Sequence, residues 1–186
     1  VPSPFYRANE LRDYYNELTL RFKKDWNVEF RAYNDGIAYR FVSRSKKPFN
    51  VVDETVDYRF PSDMVASVPY VKAGKDGDYE SQYFNSFENT YTTDRLSKLN
   101  KKRLMFLPLV VDAGEGVKIC ITESGLENYP GLYLSAAEGE KRLTGQFAPY
   151  PKKTVQGGHN QLQMLVKERE AYIAKVDKPR NFPWRM

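Results

Sequence analysis

The sequence predicts an all-β protein, a large antiparallel β-sandwich forming a single domain over residues 1–186. Three observations carry that reading. Short apolar runs alternate with polar residues and are cut by Gly, Pro, Asn or Asp about every 8–15 residues, the spacing of strands and turns. Aromatic residues make up 15% of the chain, and such side chains fit half-buried pleated faces. Helical periodicity is scarce. A chain of 186 residues is long enough for one domain with a real core.

In chain order, ANELRDYYNEL (residues 8–18) has Leu11, Tyr14, Tyr15 and Leu18 at helical spacing and reads as one short helix. From Asn16 the pattern turns to period two, with Leu18, Leu20 and Phe22 on one face. Residues 27–44 (NVEFRAYNDGIAYRFVSR) read as a hairpin in which Asp35-Gly36 supplies the positive φ angles of a tight turn. Val51–Phe60 reads as one strand. Met64–Tyr70 reads as a strand kept at a sheet edge by Pro69. AGKDGDYE (residues 73–80) reads as a loop. Asp76 and Asp78 loosely resemble a calcium loop, but the other ligand positions are missing and a plain turn is the better reading. Residues 81–99 read as a long connection.

The stretch Arg103–Leu134 organises the rest. It opens on the most apolar run of the chain, Leu104–Val111, and turns at Asp112, Gly114 and Gly116. It returns as Val117–Thr122 and ends in an acidic loop carrying Glu123 and Glu127. Beyond it, residues 133–143 read as strand or loop, 145–153 as a Pro-punctuated segment, 156–160 as a turn and Tyr172–Val176 as a last short strand.

Charge and cysteine content exclude several function classes. The net charge of +5 is spread along the chain, with Lys46-Lys47, Lys101-Lys102-Arg103 and Lys152-Lys153 as its densest clusters. There is no basic arm for nucleic acid. One cysteine, Cys120, excludes an internal disulfide and reads as a small buried hydrophobe within a strand. With a single histidine, His159, a Cys/His metal site is nearly excluded, so any metal would need oxygen ligands. His159 lies between Gly158 and Asn160 and reads as a surface loop residue rather than a catalytic one. Glu168 and Glu170 face no partner that would make an acid/base pair. No apolar run has the length of a membrane span, and neither a nucleophile elbow nor a phosphate-binding loop appears. The start VPSPFY and the aromatic end NFPWRM give the expectation of a piece of a longer chain.

Glu123 is the candidate functional residue. It continues the parity of Val117, Ile119 and Ile121, so it projects towards the core side at the strand end, where a carboxylate is costly unless paired. The alternative is that Ser124-Gly-Leu-Glu127, which has capping-box spacing, starts a helical turn with Glu123 solvated beside it.

Taken together, YNELTLRF, VEFRAYNDGIAYRF, LPLVVD, KICITESGLENYPGLYL, GQFAPYPKK and REAYIAKVDKPRNFPWR resemble, in order, the N-terminal domain of family 97 glycoside hydrolases. The resemblance implies a galactose-mutarotase-like super-sandwich of two antiparallel sheets, here truncated relative to the family domain. It would precede an absent catalytic (β/α)8 barrel, which is the implied partner and holds the catalytic carboxylates. It also implies an exported, periplasmic exo-acting enzyme that removes α-linked glucose or galactose from oligosaccharides, with retention in some members and inversion in others. Calcium is the implied cofactor, and the motif assigns Glu123 of ITES as one of its ligands. The chain alone is then expected to be inactive. The reading from a different class is a stand-alone carbohydrate-binding or adhesion module with aromatics stacking on sugars.

Overall fold

The computed structural model describes residues 10, 12–85, 88–137 and 141–186. They form an almost entirely β structure in which every strand pairing is antiparallel. The first three strands are β1 (Asn16–Arg21), β2 (Trp26–Ala32) and β3 (Ile37–Ser43), joined as a meander. The short helix expected over 8–18 does not form in its described part: 12–15 has no regular structure and β1 begins at Asn16. The positive φ angles also fall elsewhere than expected. The β2–β3 turn closes between Tyr33 and Gly36 over Asn34-Asp35, with no positive φ at 34–36. Lys24 and Asp25, between β1 and β2, adopt φ of 61° and 65° instead.

The strand expected over 51–60 is two, β4 (Phe49–Val51) and β5 (Asp57–Arg59). Between them the chain leaves ladder geometry, exposing Val52 and burying Glu54 and Val56. Next come β6 (Val65–Val68), the one-turn helix α1 (Tyr79–Gln82) and β7 (Thr92–Arg95), so part of the long connection is structured. β6 is not an edge strand. It ends before Pro69, whose missing N–H therefore costs no ladder bond, and it pairs on both sides. Strands β8 (Leu109–Gly114) and β9 (Val117–Ile121) complete a sheet ordered β7-β6-β8-β9. The turn between them uses positive φ at Gly114, Glu115 and Gly116. The apolar run starting at Leu104 becomes strand only at Leu109, after Pro108. Upstream, Met105 exchanges backbone bonds of 2.8 and 3.0 Å with Leu134.

The remaining strands are β10 (Glu123–Ser124), β11 (Tyr133–Ala136), β12 (Arg142–Gln146), β13 (Pro151–Gly157), β14 (Gln163–Arg169), β15 (Ala174–Val176), β16 (Arg180–Asn181) and β17 (Trp184–Arg185). β13 and β14 form a separate hairpin; β11, β12 and β5 form one sheet and β15 pairs with β4. The last sheet runs β1-β2-β3-β17-β10, with β16 also on β3. The core lies between these layers, built on Val68, Leu96, Met105, Leu109, Val111, Ile121, Leu134 and Leu143, all nearly or fully inaccessible. Gly145 is needed where β12 runs beside the segment that leads into β5: its N–H donates to the Val56 carbonyl at 2.8 Å, and a Cβ there would stand 2.8 Å from Val56 Cβ. No described helix is long and apolar enough to cross a membrane.

Two expectations about β9 fail together. Val117 and Ile119 are exposed, and only Ile121 of their parity is buried. Cys120 is exposed rather than buried. The reason is position: β9 lies at the edge of its sheet and overhangs the core except at its C-terminal end.

Candidate functional site

Residues 117–124 run across the corner between two sheets. β9 pairs with β8, whereas β10 pairs with β17, with Glu123 opposite Arg185 and Ser124 opposite Trp184. Thr122 and Met186 exchange backbone bonds of 2.9 and 3.0 Å at the switch. No helix begins at Ser124, which lies in β10, so the capping-box alternative is not realised. The parity argument holds where it matters: Ile121 enters the core and Glu123 follows it inward.

The Glu123 side chain is 10% exposed. Its Oε1 accepts the Leu132 backbone N–H at 2.9 Å, and its Oε2 accepts from Arg185 Nη1. The Arg185 guanidinium is 1% exposed and also forks onto Glu54, with Nε–Oε1 and Nη2–Oε2 distances of 2.9 Å. The Tyr129 hydroxyl donates to Glu54 Oε2 at 2.9 Å. The Phe147 and Tyr129 rings lie 5.2 and 5.9 Å from the guanidinium carbon.

Two carboxylates thus share one guanidinium in a nearly dry setting. With both carboxylates ionised the unit carries one excess negative charge, and Glu123 is its more exposed end. Burial pushes the Glu123 carboxyl above the usual carboxylate range, against the Leu132 N–H and Arg185, which favour ionisation. Arg185 is lowered by burial but raised more by its carboxylates, so it stays charged. Beside Glu123 opens a groove of about 440 Å³ lined by Tyr83, Phe106, Leu126, Pro130, Leu132 and Tyr133. Burial pushes the Tyr83 hydroxyl up to about 12, keeping it neutral. Arg180 anchors the acidic loop below, donating to the carbonyls of Glu127 and Asn128 at 2.6 and 3.3 Å.

The other sequence candidates are not drawn into this site. His159 is exposed at the tip of the β13–β14 hairpin. Asp76 pairs with Arg103 at 2.5 Å, and Asp78 accepts from Ser81 N at the start of α1. Glu168 faces Lys152 and Lys153 at 3.9 Å. Two site members escaped the sequence reading. Glu54 carried the same signal as Glu123, a carboxylate on the apolar parity of Val56, Tyr58 and Phe60. Arg185 had no local signal, because its partners lie 62 and 131 positions away.

Calcium, the cation implied by the family resemblance, takes oxygen ligands. Each Glu123 oxygen accepts one bond and so keeps a lone-pair direction free, and the excess negative charge of the unit suits a cation. Glu123 therefore fits as one ligand. Among the described residues no group of three or more His, Cys, Asp or Glu is placed to hold a metal.

Residues 2–186 match the family model described as the glycosyl-hydrolase 97 N-terminal domain. The chain belongs to that family: it is an N-terminal domain of a family 97 glycoside hydrolase. It is similar to a retaining alpha-galactosidase of Bacteroides thetaiotaomicron, with 82% identity over all 186 residues. The chain spans 28% of that protein's length. Among solved structures, a family 97 enzyme from Pseudoalteromonas sp. strain K8 in complex with acarbose matches with a TM-score of 0.67 at 17% identity. That match covers 100% of this chain and 25% of the other. A beta-arabinopyranosidase matches with a TM-score of 0.65 at 20% identity, covering 92% of this chain and 26% of that one. At those identities the two structures bear on the fold alone.

Proposed function

We propose that this chain is the non-catalytic N-terminal domain of a retaining, exo-acting α-galactosidase of the periplasm, and that it lends Glu123 to a calcium site shared with the catalytic region. The observation that carries the proposal is the presentation of Glu123: a carboxylate fixed at a sheet corner, facing a groove, in a unit with unbalanced negative charge. The 82% identity to a retaining alpha-galactosidase favours α-galactosides over the glucosides the family also takes.

In this reading the catalytic barrel holds two carboxylates about 5–5.5 Å apart, the separation that suits a nucleophile and an acid/base in a retaining enzyme. Bound calcium would supply a fixed positive charge that orients and polarises substrate oxygens. This chain's part is to hold one oxygen ligand still. Leu132 N–H and Arg185 fix the carboxylate plane, and Arg180 fixes the loop beneath.

The test is Glu123→Gln in the full-length parent. Calcium affinity by titration calorimetry is expected to fall at least tenfold, with a matching loss of α-galactosidase activity and a retained fold by circular dichroism. An unchanged calcium affinity would refute the ligand role. The isolated chain is expected to leave p-nitrophenyl α-galactoside intact; turnover would place the active site here and overturn the division of labour.

A further inference from the structure

Glu123 and Glu54 compete for one guanidinium, and the competition is uneven. Glu54 takes the Nε and Nη2 edge of Arg185 in a two-point fork with both distances at 2.9 Å, whereas Glu123 takes only Nη1. Resting on the reading of Glu123 as a calcium ligand, we infer that Arg185 is the positioning residue for that ligand and that Glu54 sets how strongly Arg185 neutralises it.

Each part of the arrangement points the same way. A structural ion pair would be complete with Glu54 alone, since the fork engages both carboxylate oxygens and buries the charges together. The second carboxylate adds a desolvated negative charge that folding does not need. It is placed at the end of the unit that meets the groove, so the unit holds its excess charge where a cation can reach it. Arg185 cannot swing to pair fully with Glu123, because Glu54 holds its other edge. Glu54 cannot swing either, because the Tyr129 hydroxyl donates to its Oε2 at 2.9 Å. Glu123 is left with one oxygen tied to Arg185 and one to Leu132 N–H, a fixed plane with lone pairs to spare. The strand register makes this possible: Glu123 and Arg185 are direct cross-strand partners in β10 and β17 and project to the same face.

The inference separates orientation from charge. Arg185→Lys keeps the charge but loses the planar fork, so it frees Glu123 to rotate. Glu54→Gln keeps the shape but removes the rival charge, so Arg185 neutralises Glu123 more fully. Both changes weaken a cation at Glu123, by different routes.

The experiment measures calcium binding by titration calorimetry on the full-length enzyme carrying Arg185→Lys, Glu54→Gln or Glu123→Gln. It also measures activity as a function of calcium and thermal midpoints in chelator. The expected result is a three- to tenfold or greater loss of calcium affinity in both Arg185→Lys and Glu54→Gln. Activity should return towards the unsubstituted level at saturating calcium. If Arg185→Lys does not fold, Glu54→Gln decides alone. Unchanged calcium affinity in folded Glu54→Gln and Arg185→Lys, with affinity lost in Glu123→Gln, makes Arg185 a structural ion pair only and overturns the inference. Unchanged affinity in Glu123→Gln overturns the underlying ligand reading instead.

Discussion

Arg185 is among the largest side chains fully enclosed by the fold, and a buried charge is tolerated only when its donors are met. Arg185→Ala would leave Glu54 and Glu123 facing one another unpaired, and is expected to destabilise the domain by about 3–5 kcal/mol in chemical denaturation. Tyr58 is the opposite case. Its hydroxyl is buried without a hydrogen-bond partner among the described residues, and burial pushes its ionisation well above the ordinary range. Tyr58→Phe is therefore expected to leave stability unchanged or raise it by up to about 1 kcal/mol, since no bond is lost and a desolvated hydroxyl is removed. A fall of more than ~1 kcal/mol in denaturation midpoint analysis would contradict this. Asp63 supplies a pH response. Its carboxylate accepts from the Ser97 N–H at 2.9 Å and hydroxyl at 2.8 Å, and these bonds hold its pKa below the usual value. A depressed carboxyl contributes stability above its unfolded pKa of about 3.9 and loses it as pH falls through the lower folded value. Asp63→Ala is expected to flatten the acid limb of the thermal midpoint below about pH 4, and the same acid limb in both proteins would contradict it.

At the scale of an element, β9 and β10 are one extended run whose meaning changes halfway. Alternation makes Val117, Ile119 and Ile121 equivalent, yet they are 56%, 39% and 2% exposed. Ile121→Ala is expected to cost about 2–5 kcal/mol and Ile119→Ala under about 1 kcal/mol, read by urea denaturation. Equal costs would mean that β9 is covered along its length. The β13–β14 hairpin is another element whose setting matters more than its pattern. Among the described residues it pairs with no other strand, and its faces are mostly solvent-exposed. A lone two-stranded ribbon is marginally stable. Amides of β13 and β14 are expected to exchange hydrogen faster than those of β8 and β11, whose side chains Leu109, Val111 and Leu134 are sealed in the core. Equal protection by hydrogen-exchange mass spectrometry would show the ribbon to be packed in solution.

For the molecule as a whole, the core and the site share one boundary. The β11-β12-β5 sheet meets the sheet holding β6 and β8 through Met105, which bridges Tyr70 and Leu134. The sheet holding β17 and β10 meets them at Thr122–Met186. Glu123 lies at that second junction. Its position depends on strands from both ends of the chain: β17 must insert between β3 and β10 for Arg185 to reach it. Many of the aromatics that first suggested strands are spent here. Trp26 stacks on Phe182 at 5.6 Å, and Tyr129 contacts Phe147 and Phe182, packing the interior beside Glu54 and Arg185.

Much of this was legible along the chain, because alternation and turn chemistry are local. The β2–β3 hairpin, β1, β9 and β15 follow from period two and from Gly, Asn and Asp at the turns. Glu123 stood out because a carboxylate on an apolar parity is costly. The same rule marks Glu54, which shares the parity of Val56, Tyr58 and Phe60. What local pattern could not supply was which sheet each strand joins and whether a face is covered. Edge position exposed Cys120 and Ile119, pairing on both sides made β6 central despite Pro69, and Lys24-Asp25 took the positive φ that Asp35-Gly36 did not need. Local alternation and turn chemistry dictate an all-β chain with an acidic residue aimed inward at a strand end. That this residue shares an arginine with Glu54 emerges from the folded arrangement, because ion pairing acts through space between residues that the chain keeps far apart.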